Sequence, residues 1–189
     1  MDVSRYIRDL GKFVRRLRRL GINRLDLRTF LKLVRRADIN VVVDVRRNSF
    51  YKSKQGFSPK VLRKALKRMG VEYLYLKSLG NPKTGTTLPE NEAKAFYQQF
   101  IREERQDQLK ALFYKIAHAR DSKQKSFCFI CYCEYPKPCH TYWLIETLVN
   151  LKRSEIREYE RMEGHFELLP ENYPGFDVYS KSSIKYIEG

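Results

Sequence analysis

The chain has 189 residues, of which 42% are hydrophobic, so it is long enough for one domain with a substantial core and short for two. Lys and Arg number 38 against 22 Asp and Glu, a net charge of +16, and no apolar run approaches the roughly 18–20 residues of a membrane span. The first 21 residues are too charged for a secretory signal, so we expect a soluble, cytoplasmic protein that neither crosses nor binds a membrane.

The positive charge is unevenly distributed along the chain. Residues 1–70 hold 21 Lys or Arg and 5 Asp or Glu, whereas residues 71–189 hold 17 of each kind. Such clustering is typical of a protein that binds a polyanion, most often nucleic acid, and it leaves open whether the partner is DNA or RNA. A general contribution to solubility is the alternative explanation.

The first predicted element is a basic amphipathic helix at residues 2–20, ended by Gly21. Its apolar side chains recur at three- and four-residue spacing. The arginines beside them are candidate phosphate contacts: Arg15, Arg16, Arg18 and Arg19. The same pattern also fits a solvated helix that only packs on the domain.

The elements that follow alternate between helix and strand. A helix is predicted at Leu25–Ala37, a buried strand at Asn40–Val45, a helix from Ser58 and Pro59 to Met69, and a strand at Val71–Leu76. The rest of the chain predicts one or two helices in Glu90–Arg120, a strand at Phe127–Cys133 and a helix at Cys139–Leu151. This order predicts a single α/β domain over residues 1–189, a small, mainly parallel sheet flanked by helices in a Rossmann-like three-layer arrangement. Residues 152–189 form a C-terminal extension with a weaker pattern, which includes turns at Glu163–Gly175 and a short strand or tail at Phe176–Ile187.

Chemically capable side chains follow two of these strands. Asp44, Arg46 and Arg47 end the first, and Cys131, Cys133 and Glu134 end the last. Cys139 and His140 begin the helix after it, where backbone N–H groups favour an anion and would lower the pKa of a thiol. Since parallel strands end at one edge of a sheet, we expect a ligand site there.

Three kinds of chemistry fit this set of residues. The cysteines with His140 include enough soft ligands for zinc, although the spacing is not a standard zinc pattern. Cys139 could act as a nucleophile, but the two prolines before it lack N–H donors for an anion. Asp44 or Glu134 could instead perform acid–base chemistry while Arg46 and His140 bind an anionic substrate, and this hypothesis requires no metal and no cofactor.

Three stretches resemble a known family: Val41–Pro82, Phe129–His140 and Thr141–Leu148. Asp44-Val45-Arg46 with Ser49, the Gly70-to-Tyr73 strand start with Leu79-Gly80, and Cys139-His140 match the pattern of DUF488, a family of domains of unknown function, over about residues 25–150. The resemblance implies a small α/β domain with one pocket near Asp44, Arg46, Ser49, Tyr73, Cys139 and His140. The chain departs from the pattern at Thr141, where the family usually has arginine, and the strand that opens the family is not recognisable.

The leading functional hypothesis is a hydrolase that acts on a nucleic-acid base or its N-glycosidic bond. In this scheme Asp44 or Glu134 activates water, Cys139 and His140 complete the catalytic set, and side chains of the loop after the first strand contact an extruded base or its phosphates. The substrate- and phosphate-binding candidates are Arg46, Arg47, Ser49, Phe50, Tyr51, Lys52 and Tyr73. A non-catalytic nucleic-acid-binding module and a Cys- or metal-dependent enzyme on a small anionic substrate are the alternatives.

Overall fold

The computed structural model describes residues 3–47, 55–83, 88–118, 125–132 and 139–162. These residues contain six α-helices, of which the first three are α1 (Val3–Arg15), α2 (Leu27–Arg36) and α3 (Pro59–Arg68). The other three are α4 (Glu90–Glu103), α5 (Gln106–Ala117) and α6 (His140–Met162). The strands are β1 (Leu17–Gly21), β2 (Val41–Asp44), β3 (Glu72–Tyr75) and β4 (Phe127–Cys131).

The four strands form one parallel sheet in the order β1-β4-β2-β3. Val43 of β2 pairs with Phe129 of β4 on one side and with Leu74 of β3 on the other. All four residues of β2 and all five of β4 are buried, as expected for central strands covered on both faces. The predicted α/β fold with a parallel sheet is therefore confirmed.

Helices cover the two faces of the sheet unequally. α2 and α3 pack on one face, around a core that includes Phe30, Leu62 and Val42. α1, α4, α5 and α6 pack on the other, around a core that includes Val43, Phe129 and Leu144. Of the helices in the described ranges, none combines the length and the apolar character that crossing a membrane requires.

The predicted helix over residues 2–20 is wrong in its second half. α1 ends at Arg15, and Leu17–Gly21 forms the edge strand β1, which pairs with β4. Leu17 and Leu20 are three residues apart, a spacing that puts them on one face of a helix but on opposite faces of a strand. The structure shows the strand arrangement, because Leu17 packs with α1 and α6 while Leu20 packs with α2 and α3. β1 is therefore a strand that the sequence pattern concealed.

Local signals explain where α2 and α3 begin and where α3 ends. The Asp26 carboxylate accepts a hydrogen bond from the Thr29 amide (2.7 Å), and the Ser58 hydroxyl caps α3 through the Val61 amide (3.3 Å). After α3 the chain turns at Gly70, whose φ of 72° suits glycine. The long helical stretch is two helices, as one of the predicted alternatives had it, while α6 extends beyond its predicted end. The predictions for Glu163–Gly175 and Phe176–Ile187 lie outside the described residues.

The loops after β2 and β3 meet at Gly80. A Cβ atom built on Gly80 would lie 2.7 Å from the Val45 carbonyl oxygen and 2.9 Å from the Arg47 amide nitrogen. The neighbouring Leu79 carbonyl accepts a hydrogen bond from the buried Tyr97 hydroxyl (2.7 Å). Because backbone atoms occupy the space of a side chain, only glycine permits this approach of the two loops.

We expect Gly80→Ala to lower the free energy of unfolding by about 1–3 kcal/mol, since the added methyl group must displace backbone atoms. Urea unfolding followed by circular dichroism measures the change. The matched control is Gly11→Ala in α1, whose added methyl group meets only the flexible end of Arg15 and should raise stability by about 0.5–1 kcal/mol. Equal stability of the Gly80→Ala variant and the wild type would contradict the packing argument.

Candidate functional site

A buried ion pair lies at the carboxyl end of β2. Arg46 Nε donates to Asp44 Oδ1 (2.8 Å) and Arg46 Nη2 donates to Asp44 Oδ2 (2.6 Å), so the pair is bidentate. The side chains of Arg46 and Asp44 are 1% and 0% exposed. Burial would lower the pKa of the Arg46 guanidinium, but the hydrogen bonds and charge of Asp44 outweigh it and raise that pKa above its ordinary value.

Groups from three other segments complete the network around this pair. The Tyr73 hydroxyl on β3 donates to Asp44 Oδ2 (2.6 Å), and Arg46 donates to the Tyr132 hydroxyl after β4 (2.8 Å). Arg46 Nη2 also donates to the Phe57 carbonyl (2.7 Å), and its guanidinium lies 4.8 Å from the centre of the Tyr132 ring. Burial, followed by the negative charge of Asp44, raises the pKa of Tyr73, so its hydroxyl stays protonated. Sequence analysis missed Tyr132, which no motif marks.

The geometry bears on the predicted role of Asp44. Among the described residues, its two oxygens accept four hydrogen bonds, from the Arg46 side chain, the Arg46 amide (3.1 Å) and Tyr73. A carboxylate offers about four lone pairs, so all of them are engaged. The arrangement therefore favours a positioning role for Asp44 over activation of a water molecule.

A second cluster surrounds the start of α6. The Cys139 Sγ lies 3.5 Å from the Cys131 Sγ and 2.9 Å from the Thr141 Oγ1. All three side chains are buried, and the two sulfur atoms are thiols rather than a disulfide. Thr141, which departs from the family pattern, places a hydroxyl against both sulfur atoms, where an arginine would bury a charge. The described residues contain no group of three or more His, Cys, Asp or Glu arranged to hold a metal ion.

His140 lies beside these thiols in an apolar setting. Its ring donates to the Val45 carbonyl, and its centre is 5.8 Å from the centre of the Tyr97 ring in an edge-on arrangement. Burial lowers the pKa of His140, an effect that the neighbouring Cys139 and the Val45 hydrogen bond only partly oppose. The imidazole is therefore neutral near neutral pH, and it joins α6 to the end of β2.

The sheet separates the two clusters. Asp44 shares a strand face with Val42, which packs under α2 and α3, and Tyr73 packs against the same core. Cys131 shares a strand face with Phe129, which packs under α6. The structure thus brings Asp44, Arg46 and Tyr73 together, and Cys139 and His140 together, on opposite sides of the sheet edge. Arg47 is exposed beyond the buried pair. The candidates Ser49, Phe50, Tyr51, Lys52, Cys133 and Glu134 lie outside the described residues.

The structure does not place the four N-terminal arginines together on one helix, as the sequence predicted. Arg15 is exposed on α1, but Arg16 donates to the Lys125 carbonyl (2.9 Å) with its guanidinium 5.6 Å from the centre of the Phe127 ring. Arg18, on β1, donates to the Leu17 carbonyl (3.0 Å). Arg19 is 7% exposed, and its guanidinium lies 5.8 Å from the centre of the Tyr142 ring. Three of the four are thus engaged within the protein, because Arg18 and Arg19 lie on the strand β1 and Arg16 lies in the turn before it.

A stronger basic surface lies on α2 and α3. These helices carry nine Lys and Arg residues, all exposed, and no acidic residue. We call this set the α2–α3 basic face: Arg28, Lys32, Arg35, Arg36, Lys60, Arg63, Lys64, Lys67 and Arg68. A groove of about 780 Å³ runs between the helices, with apolar side chains such as Leu31 and Met69 among five of these cations. The sequence could have indicated this surface through the helical spacing of its Lys and Arg residues and the absence of acidic residues within the two helices.

The chain belongs to the DUF488 family, described as a domain of unknown function, whose family model matches residues 26–148. This match includes β2, β3, β4 and both clusters at the sheet edge. No curated protein and no solved structure gives a significant match to the chain. The resemblance proposed from the sequence motifs is therefore confirmed at the level of the family.

We expect Asp44→Asn to lower the free energy of unfolding by about 3–5 kcal/mol, because it leaves the buried Arg46 without a counter-charge. Tyr73→Phe removes one hydrogen bond to a charged group and should cost about 1.5–3 kcal/mol. Chemical denaturation measures both values. The control, Asp38→Asn, changes an exposed carboxylate at φ 49° and should stay within about 0.5 kcal/mol of the wild type. Similar stabilities for Asp44→Asn and Asp38→Asn would contradict the assigned role of the pair.

The lowered pKa of His140 predicts a pH-dependent contribution to stability. Below the unfolded-state pKa of about 6.5, His140 binds a proton more readily in the unfolded chain than in the folded protein. The free energy of unfolding therefore decreases as the pH falls. We expect the free energy of unfolding, measured with urea, to decrease less between about pH 7.5 and about pH 5.5 in His140→Gln than in the wild type. His118→Gln, which removes an exposed imidazole, is the control. Parallel declines of wild type and His140→Gln would contradict this prediction.

Proposed function

We propose that this DUF488 protein is a nucleic-acid-binding module that holds the phosphates of DNA or RNA on its α2–α3 basic face. The observation that carries this proposal is the set of nine exposed cations without an acidic residue on two adjacent helices. None of the nine forms an ion pair within the part of the chain that the structure describes. Unpaired, exposed cations on one surface are the feature that phosphate-dominated binding requires.

The opposite layer has no comparable excess of charge. The four helices of this layer, α1, α4, α5 and α6, together contain twelve basic and nine acidic residues, against nine basic and none acidic on α2 and α3. Several of these are paired, as in the contact of Lys94 with Glu146 (2.8 Å). The positive charge is therefore concentrated on the side of α2 and α3, which would orient the protein on a polyanion and speed encounter at low salt.

The groove between the two helices suits a nucleic-acid strand in particular. The groove is lined by cations together with apolar side chains that include Leu27 and Ala65. Cations neutralise backbone phosphates, while an apolar floor accommodates the less polar surface of a sugar or base. Recognition by phosphate contacts predicts binding that depends weakly on sequence and strongly on salt.

The same geometry favours binding over hydrolysis by Asp44. To activate water, this carboxylate would have to give up hydrogen bonds to Arg46 or Tyr73 in a buried network. The other proposed base, Glu134, lies outside the described residues. Cleavage of a base or its N-glycosidic bond is accordingly the second hypothesis for the same partner.

The third hypothesis, a thiol enzyme, has less support. Cys139 is 5% exposed and its sulfur contacts Cys131 and Thr141. Reactive cysteines lie in accessible, electropositive settings, whereas buried ones are usually inert. This packing favours a structural role for Cys139.

We expect fluorescence anisotropy with labelled duplex DNA and duplex RNA to show affinity that falls steeply with salt. Replacing four cations of α2 by glutamine should flatten the plot of log affinity against log salt by about 0.9 for each phosphate of duplex DNA that the variant no longer neutralises. The variant carries Arg28→Gln, Lys32→Gln, Arg35→Gln and Arg36→Gln. The control carries Arg102→Gln, Lys110→Gln, Lys115→Gln and Arg157→Gln, four exposed cations of the opposite layer.

Equal reductions of affinity in the two quadruple variants, or no binding by the wild type near physiological salt, would contradict the assigned surface. Alkaline treatment of the bound nucleic acid distinguishes the two leading hypotheses. Intact strands are expected for a binding module. Strand breaks that require active protein would favour base removal instead.

A further inference from the structure

A second basic cleft lies at the carboxyl edge of the sheet, on the side of α4 and α5. It has a volume of about 450 Å³. Three cations line it: Arg47 after β2, Lys77 after β3 and Arg105 between α4 and α5. No acidic residue is among its described lining residues. Only Arg47 was a candidate from the sequence, because the other two cations come from distant segments.

The walls of this cleft are held in place. Gly80 packs against the backbone of Val45 and Arg47, so the loops after β2 and β3 form one unit. The Arg105 guanidinium lies 5.1 Å from the centre of the Phe100 ring, and its Nη1 donates to the Glu104 carbonyl (2.8 Å). These contacts orient the guanidinium before any ligand binds, which lowers the entropy lost on binding.

Neutral hydrogen-bonding groups supplement the cations. Ser78 and Gln108 also line the cleft, and Gln108 lies in the first turn of α5. α5 has twelve residues, and no side chain caps its N-terminus by a hydrogen bond. Backbone N–H groups at such a helix start add to the attraction for an anion that the cations already provide.

We propose that this cleft binds the phosphate group of a phosphomonoester about the size of a mononucleotide. Three cations with flanking donors match the charge and the several acceptor oxygens of a phosphate. The volume exceeds the needs of a bare anion and lies within the roughly 300–1,000 Å³ of small-ligand pockets. The position, at the carboxyl ends of parallel strands, is where open α/β sheets bind ligands.

This site is independent of the nucleic-acid surface proposed above. The cleft is formed with α4 and α5, whereas the α2–α3 basic face lies across the sheet. The two proposals can therefore fail separately. Variants in the cleft should leave DNA and RNA binding unchanged, and the quadruple α2 variant should leave phosphate binding unchanged.

The test is a titration of isotope-labelled full-length protein followed by two-dimensional NMR at constant ionic strength, balanced with sodium chloride. The probes are inorganic phosphate, adenosine 5′-monophosphate and adenosine. We expect both phosphates to shift the amide signals of Ser78, Gly80 and Gln108, and adenosine to leave them unchanged. Lys77→Gln and Arg105→Gln should each weaken binding of the monophosphate at least about tenfold.

Arg102→Gln, which removes an exposed cation of α4 outside the cleft, is the matched control and should bind as the wild type does. Lys77→Gln keeps the test informative if Arg105→Gln loosens the packing on Phe100. Absence of shifts with either phosphate, or equal affinity in Lys77→Gln and Arg102→Gln, would overturn the proposal. Shifts with inorganic phosphate alone would indicate an adventitious ion only, and equal binding of adenosine would overturn phosphate recognition.

Discussion

The buried contact between Asp44 and Arg46 is the constraint on which the carboxyl edge of the sheet depends. Arg46 reaches Tyr132 after β4 and the Phe57 carbonyl before α3, while Asp44 reaches Tyr73 on β3. One ion pair thus connects three strands of the sheet with the segment before α3. A buried ion pair adds little stability compared with apolar packing, but loss of either partner leaves an unpaired charge in the core. Its value therefore lies in specifying one arrangement of these segments.

This constraint also explains how the surrounding chemistry is divided. The sheet places the Asp44 network under α2 and α3 and the Cys131–Cys139 thiols under α6. His140 joins α6 to the end of β2 through the Val45 carbonyl, and Gly80 allows the next loop to pack on the same backbone. The buried Asp44, Arg46 and Tyr73 at this edge are consequently satisfied by one another. Among the described residues, exposed cations surround them on the α2–α3 basic face and at Arg47 in the cleft.

Prediction from sequence was most accurate where local signals determine structure. Ser58 began the helix that its capping chemistry indicated, and the β-branched run before Asp44 formed a central strand. It was least accurate at Leu17–Gly21, where leucines three residues apart suit a helix. That segment is a strand because β4 offers an edge with which it can pair, and pairing across more than one hundred residues leaves no local mark.

By itself the sequence determined the fold class, the family and the positive charge of the N-terminal part. Periodicity, caps and composition are properties of short segments, and they are readable without knowing what those segments touch. The tertiary structure alone decided which charges are exposed and which are engaged within the protein. It buried Arg46 against Asp44, engaged Arg16, Arg18 and Arg19 within the protein, and brought Lys77 and Arg105 to the side of Arg47. Exposure and proximity depend on how distant segments pack, and packing is a property of the whole chain.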